Sequence, residues 1–415
     1  TDEYLHGEEE EGQASGKLPE EGAFDLVGRV PFQVSPFGTV EVEEKDPRHV
    51  PDLSFPHVGS PHYSPSTPSV NDRLAAFSPH PRTLWCDPPE FAALLASLPD
   101  APEDDEYVMQ TDDVSRCYRR VRIHPEDWRY IVMQHDGGFF VDFSLPMGLA
   151  SATEIWGRLA DVIRLGVETV LRPRFQKYGG DVFLFRNWVD DFNILVRLGR
   201  LSRKQAGELI AWYYSIFGLP LSLTKRIALS PLSLFQGLVW DPKRKLVALP
   251  VKKQEKALRK VKFALSLPTL SRTNLFAIVG HLSHVSFAVP DGRFHLTHLF
   301  ALQAPFFEKP KLKIPLSSAA RSELEWWQDR LESAVPPSPN PSLDSRLAFS
   351  PSLSRVFSKP SYNTTIELFC DACNGGVGVV IGNQQRYWPL RAGWKSDQTN
   401  IHVGEGASLE LLLLT

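Results

Sequence analysis

Between residues 86 and 240 apolar and polar positions alternate in short runs, close to the period of two that marks β-strands. YVMQTDDV (107–114), YIVMQ (130–134), GFFVDFSL (138–145), VFLFRNWV (182–189) and FNILVRL (192–198) each read as a strand. Residues 151–171 and 203–216 instead carry the three-to-four spacing of helices. GLVWDPKRKLVALP (237–250) reads as a hairpin turning at Asp241-Pro242. From 251 the period is helical in VKKQEKALRKVKFALSL (251–267), SRTNLFAIVGHLSHVSF (271–287) and SSAARSELEWWQDRLESA (317–334). TTIELFCDACNGGVGVVIGNQQRYWPL (364–390) returns to alternation and predicts three strands.

The punctuation divides the chain. Residues 1–22 are Glu-rich and predict a disordered acidic arm. Residues 23–85 are rich in proline and weakly periodic, which predicts irregular structure with short strands. PPSPNPSLDS (336–345) predicts a proline–serine linker. At 415 residues, two or three domains are expected from the usual size of about 150 residues each. Hydrophobic residues make up 42% of the chain and charged residues 23%, enough apolar surface for a large core, so wholesale disorder is excluded. No apolar run is long enough to span a membrane, and the acidic N-terminus resembles no secretory signal. Four cysteines exclude a disulfide scaffold and point to a reducing, intracellular compartment, cytoplasm or nucleus.

The net charge of −4 conceals an asymmetry. Residues 1–50 hold thirteen acids and four Lys/Arg, whereas residues 242–262 hold nine Lys/Arg and one acid. Local sign decides whether a phosphate backbone is attracted. The basic stretch containing Lys252, Lys253, Arg259 and Lys260 is therefore a candidate nucleic-acid contact, with a solvated helix face as the alternative.

Two acidic sites carry the candidate chemistry. NWVDDFNIL (187–195) sets Asp190 and Asp191 between two apolar strands, where carboxylates are costly unless compensated. YVMQTDDVSRCY (107–118) sets Asp112 and Asp113 at the end of another strand. Hard oxygen ligands on neighbouring strands suit a pair of Mg²⁺ ions, with Mn²⁺ as a substitute, which can bridge substrate phosphates. Between them LPMGLASATEIW (145–156) is a Pro–Gly turn entering a helix. His281-x-x-His284 and His295-x-x-His298 have zinc-like spacing but no accompanying cysteine or acid cluster, and read as core or surface histidines. Cys370-x-x-Cys373 lacks a second pair.

The order acidic strand, Pro–Gly turn with helix, Asp-Asp hairpin resembles the palm of reverse transcriptases. QTDDVSRCYRRVRIHPEDW (110–128) resembles their first motif, LPMGLASA (145–152) the second and WVDDF (188–192) the third. GLPLSLTK (218–225) resembles the next motif, which ends in lysine, and SLFQGLVWD (233–241) the hairpin that grips the primer. RHVPDLSFP and PSVND, within 48–72, resemble the fingers of DIRS-type retrotransposons. GHLSHVSFAVPDGRFHLTHL (280–299) and ELEWWQDRL (323–331) resemble the same group.

The resemblance implies an α+β right-hand polymerase followed by a truncated ribonuclease H-like α/β domain. Fingers would occupy 23–110, palm 107–245, a helical thumb or connection 246–335, the linker 336–362 and the ribonuclease H-like part 363–415. It implies that Asp113, Asp190 and Asp191 are catalytic, with Asp113, Asp190 and the Val114 carbonyl as metal ligands. Arg48, Tyr118, Met147, Gly148 and Lys225 would bind the nucleotide, with Tyr118 beneath the sugar excluding a 2′-hydroxyl. Phe235, Gly237 and Leu238 would grip the primer. Asp371 and Glu405 match the ribonuclease H-like motif. The implied activity is RNA-directed DNA polymerisation on an RNA or DNA template with primer and dNTPs. An RNA-dependent RNA polymerase shares the palm, but Tyr118 and the C-terminal strands speak against it. An inert nucleic-acid-binding scaffold would have no need of three clustered acids.

Overall fold

The structure, a computed structural model, describes residues 2–42, 45–57, 60, 61, 64, 66–77, 85–102, 105–335, 344–357, 368–373, 376–381 and 384–389. It forms two units, residues 1–357 and 358–415. No helix among the described residues is long and apolar enough to cross a membrane.

The first unit begins with helices α1 (Asp2–Glu10) and α2 (Glu20–Leu26), the hairpin β1 (Val34–Val42) and β2 (Lys45–Pro51), and helices α3 (Val70–Phe77) and α4 (Pro88–Ala96). Next come β3 (Tyr107–Asp113), β4 (Val132–His135), β5 (Gly138–Val141) and helices α5 (Ala152–Gly166) and α6 (Arg172–Gln176). The hairpin β6 (Asp181–Trp188) and β7 (Asp191–Arg197) leads to α7 (Arg203–Ile216), β8 (Ile227–Ser230), β9 (Ser233–Phe235), β10 (Leu238–Asp241) and β11 (Leu246–Pro250). A helical stretch follows: α8 (Val251–Ser266), β12 (Leu270–Ser271), α9 (Arg272–Val285), α10 (Thr297–Ala301), α11 (Pro305–Glu308), β13 (Lys313–Ile314) and α12 (Ser318–Glu332). β14 (Phe349–Val356) closes this unit.

The central sheet runs β6-β7-β3-β8, with β3 antiparallel to β7 and β8. All seven residues of β3 are buried, because helices and a second sheet cover its two faces. One core joins Trp156, Ala160 and Ile163 of α5, Ile210, Tyr213 and Tyr214 of α7 and Phe185, Phe192 and Ile194 of the hairpin. A larger core joins Met109 and Leu195 to Phe235 and Trp240 and to α8, α9 and α12. Side-chain caps start the long helices: Ser202 with Gln205 forms a capping box on α7, and Ser271 and Ser317 cap α9 and α12.

The expectation of a disordered acidic arm is corrected. Leu5 of α1 packs with Phe37, Met133 and Phe140, and Glu8 is buried in ion pairs with Arg116 and Arg119. Arg119 also meets Asp142 at 2.7 Å, so a buried charge network compensates the acid. The linker expected over 336–362 is corrected in part: β14 pairs with β11 and extends the sheet β14-β11-β10-β9. In the second unit β15 (Leu368–Cys373), β16 (Gly376–Ile381) and β17 (Gln384–Pro389) form an antiparallel meander, matching the three expected strands.

Candidate functional site

Register brings the acids together. Asp113 ends β3 directly opposite Asp191, the first residue of β7, while Trp188 pairs with Asp191 across a two-residue turn of Val189 and Asp190. Carboxylate oxygens of Asp113, Asp190 and Asp191 lie within 4.8 Å of one another, a donor set that suits a hard divalent cation.

The turn is held open to this geometry from two sides. Val189 has φ +54°, a left-handed conformation costly for a β-branched side chain. The Trp156 indole N–H donates to the Val189 carbonyl at 2.7 Å, and the Val114 N–H donates to the Asp190 carbonyl at 2.8 Å. Burial, and then the charge of Asp113, push the Asp190 carboxyl up, while Lys225 and Arg48 pull it down. Arg48 is exposed on β2.

Lys225 donates to Asp113 at 2.7 Å. Burial alone would lower its ammonium, but that bond and the three acids leave it raised. The expected Asp112–Asp113 pair is split, because side chains alternate along a strand. Asp112 is 1% exposed and accepts from Gln110 at 2.6 Å and Arg226 at 2.5 Å. Its carboxyl is pushed up by burial and pulled back by those partners. It serves the core, not the cluster.

Tyr118 lies in a short turn, Cys117–Arg120, where burial and then the nearby thiol and Asp190 push its hydroxyl up to about 12. Met147 is exposed at the loop before α5. Gly148 has φ +96°, and a Cβ there would come within 3.0 Å of the Pro51 carbonyl, so glycine is required. Asn71 pins this loop, donating to the Gly148 carbonyl at 3.0 Å and accepting from the Ala150 N–H at 2.8 Å.

Phe235 and Leu238 are buried at the ends of β9 and β10, with Gln236 and Gly237 both at positive φ between them, as a tight two-residue hairpin needs. Lys253 does not share the exposed face of α8 with Lys252 and Arg259. Its Nζ lies against Gly237 and 2.9 Å from His284 Nε2. Burial and then Lys256 lower the Lys253 ammonium to about 8; burial, then Lys253, lowers His284 to about 4. Lys260 is half-buried. His298 pairs with buried Glu323 at 2.9 Å and His295 stacks on Trp326. Asp371 lies on β15 opposite Gly378. Glu405 lies outside the described residues. Trp156, Asn71 and Glu8 were invisible to motif reading, since each acts through a partner distant in sequence.

No protein-family model and no curated protein matches the chain. Solved structures do. A foamy viral protease-reverse transcriptase dRH in complex with double-stranded DNA aligns with TM-score 0.54 and 13% identity, covering 98% of this chain. A foamy viral protease-reverse transcriptase with double-stranded DNA gives TM-score 0.52 and 13% identity, over 99% of this chain and 71% of that one. A third, with an RNA/DNA hybrid, gives 0.50 and 14%, over 92% and 44%. The chain has a reverse transcriptase-like fold. It spans 58% of the length of the first of these structures. Within this reverse transcriptase-like fold the acidic cluster sits at the ends of central strands, at a turn two polar contacts hold in place.

Proposed function

We propose that the chain is an RNA-directed DNA polymerase that extends a primer 3′-hydroxyl with dNTPs. The observation that carries this reading is the cluster of Asp113, Asp190 and Asp191 within a reverse transcriptase-like fold. These carboxylates would hold Mg²⁺, as a pair of ions, or Mn²⁺. Bound there, the metal would activate the hydroxyl and offset charge on the leaving pyrophosphate.

The protein's own groups supply position. Arg48 and Lys225 bring positive charge toward the carboxylates, where a triphosphate would need it, and the planar guanidinium suits phosphate. Tyr118 would support the sugar and exclude a 2′-hydroxyl, and the Met147–Gly148 turn would face the base. The hairpin of Phe235, Gly237 and Leu238 would grip the primer. Lys252, Arg259 and Lys260 would meet template–primer phosphates. In this reading residues 23–110, 107–245 and 246–335 are fingers, palm and thumb. Residues 363–415 are a ribonuclease H-like segment with Asp371 and Glu405 as its acids, and the source is a DIRS-type retrotransposon acting inside the cell.

Mg²⁺-dependent primer extension tests the reading, on RNA and DNA templates with dNTPs and NTPs in parallel. Extension with dNTPs on an RNA template is expected. Preference for NTPs would point to an RNA polymerase. No incorporation, with template–primer still bound, would point to a scaffold.

A further inference from the structure

The segment after the Pro/Ser-rich stretch returns to the turn that carries Lys225. Arg346 donates through Nη1 to the carbonyls of Thr224 at 3.4 Å and Lys225 at 2.9 Å, and through Nη2 to that of Arg226 at 2.7 Å. Asp344 fixes the guanidinium in turn, with Nε at 3.0 and 3.1 Å from its two oxygens and Nη2 at 2.6 Å. The next residue, Leu347, is buried with Ile227, Val239, Leu246 and Ala248. A polar clamp and an apolar plug therefore close on residues 224–227 together.

Residues 222–226 form one turn: the N–H groups of Lys225 and Arg226 both reach the Ser222 carbonyl, at 3.3 and 3.1 Å. The end of such a turn leaves carbonyls facing one way, which a cation with several donors satisfies. A guanidinium presents five donors in a plane, whereas an ammonium cannot span three carbonyls in this way. The same turn sends two cations to consecutive acids of β3, Lys225 to Asp113 and Arg226 to Asp112. Arg226 is rooted by a buried partner. The Lys225 side chain is 64% exposed, so the path of its backbone governs whether Nζ reaches Asp113.

We propose that Arg346 is a positioning residue: by holding carbonyls 224–226 it seats Lys225 on Asp113, and so sets how readily a divalent cation enters the Asp113–Asp190–Asp191 cluster. An ammonium on Asp113 and a cation on the same carboxylate compete. The inference rests on reading these acids as a cation site, and does not require that the chain polymerise.

Mn²⁺ titration of the full chain, followed by electron paramagnetic resonance, tests it without any turnover. Lys225→Ala is expected to bind Mn²⁺ about 2- to 5-fold more tightly, the scale of a partly exposed ion pair. Arg346→Ala should recover much of that gain, and Arg346→Lys a smaller part. In the Lys225→Ala background, Arg346→Ala should add nothing. Three outcomes overturn the proposal: unchanged affinity in both Arg346 variants, the same shift with and without Lys225, or no effect of Lys225→Ala. Should Arg346→Ala not fold, Arg346→Lys and its pairing with Lys225→Ala decide the matter. A chain that shows this pattern but extends no primer would sink the polymerase reading alone. Primer extension without the pattern would sink only the role of Arg346.

Discussion

Trp156 donates its indole N–H to the carbonyl of Val189, 2.7 Å away, across 33 residues of sequence. The ring also stacks near Phe192, with centroids 6.3 Å apart and planes at 10°. One side chain thus contacts both the turn that carries Asp190 and the strand that begins at Asp191. Trp156→Phe keeps a ring but orphans the carbonyl of a strained turn. We expect a stability loss of about 1–3 kcal/mol by denaturant titration. Mn²⁺ affinity and primer extension should fall further than that loss explains. A variant less stable but normal in cation binding would show that the turn holds its shape unaided.

Asp190→Asn should abolish Mg²⁺-dependent primer extension and leave folding nearly intact. Burial and Asp113 already disfavour the Asp190 charge, so a neutral amide relieves repulsion while removing a ligand. Extension at the wild-type rate would remove Asp190 from the active site.

Tyr118→Ala should raise ribonucleotide incorporation relative to deoxynucleotide. The ring is half-buried in a turn close to Asp190, and its loss opens space beside the acidic cluster. Unchanged discrimination in single-nucleotide assays would place the sugar gate elsewhere.

Replacing Lys252, Arg259 and Lys260 by Gln should weaken template–primer binding and flatten its salt dependence, by about 0.9 in slope for each phosphate no longer neutralised. Lys253→Gln should behave differently, because its ammonium lies against Gly237 and His284. Its cost is expected in stability. Equal salt slopes for wild type and the triple variant would return α8 to a solvated face.

Acid should destabilise the fold through His284. Its folded value of about 4 lies below the ordinary 6.5, so the unfolded chain binds more protons between them and stability falls as pH drops through that window. Lys253 and His281 face the same ring and act in the same sense. Between pH 6.5 and 5 the loss from this group should be about 1–2 kcal/mol. His284→Gln should lose less stability over the same interval. An equal loss in both proteins would exonerate His284.

Much of the first unit was legible along the chain. Strands over 107–113, 181–188 and 191–197 and helices over 203–216, 251–266 and 318–332 follow from periodicity, which is local. The adjacency of Asp190, in the two-residue turn, and Asp191, at the start of β7, is equally local. The acidic arm was misread because charge density alone predicts solvation, whereas Glu8 finds Arg116 and Arg119 more than a hundred residues away. β14 was missed because its partner β11 lies about a hundred residues earlier.

Local pattern, then, carried the elements and marked two acidic pairs, Asp112–Asp113 and Asp190–Asp191, while the family resemblance chose Asp113 from the first. Their meeting required the register of β3 against β7, which pairs Asp113 with Asp191, a long-range choice that spacing does not encode. Packing also separated like from like. Asp112 turned into the core toward Arg226 while Asp113 faced Lys225, and Lys253 turned inward to His284 while Lys252 stayed exposed. Adjacent residues of one type differ in role because a strand or helix points them to different sides, and only the folded partners say which side is water.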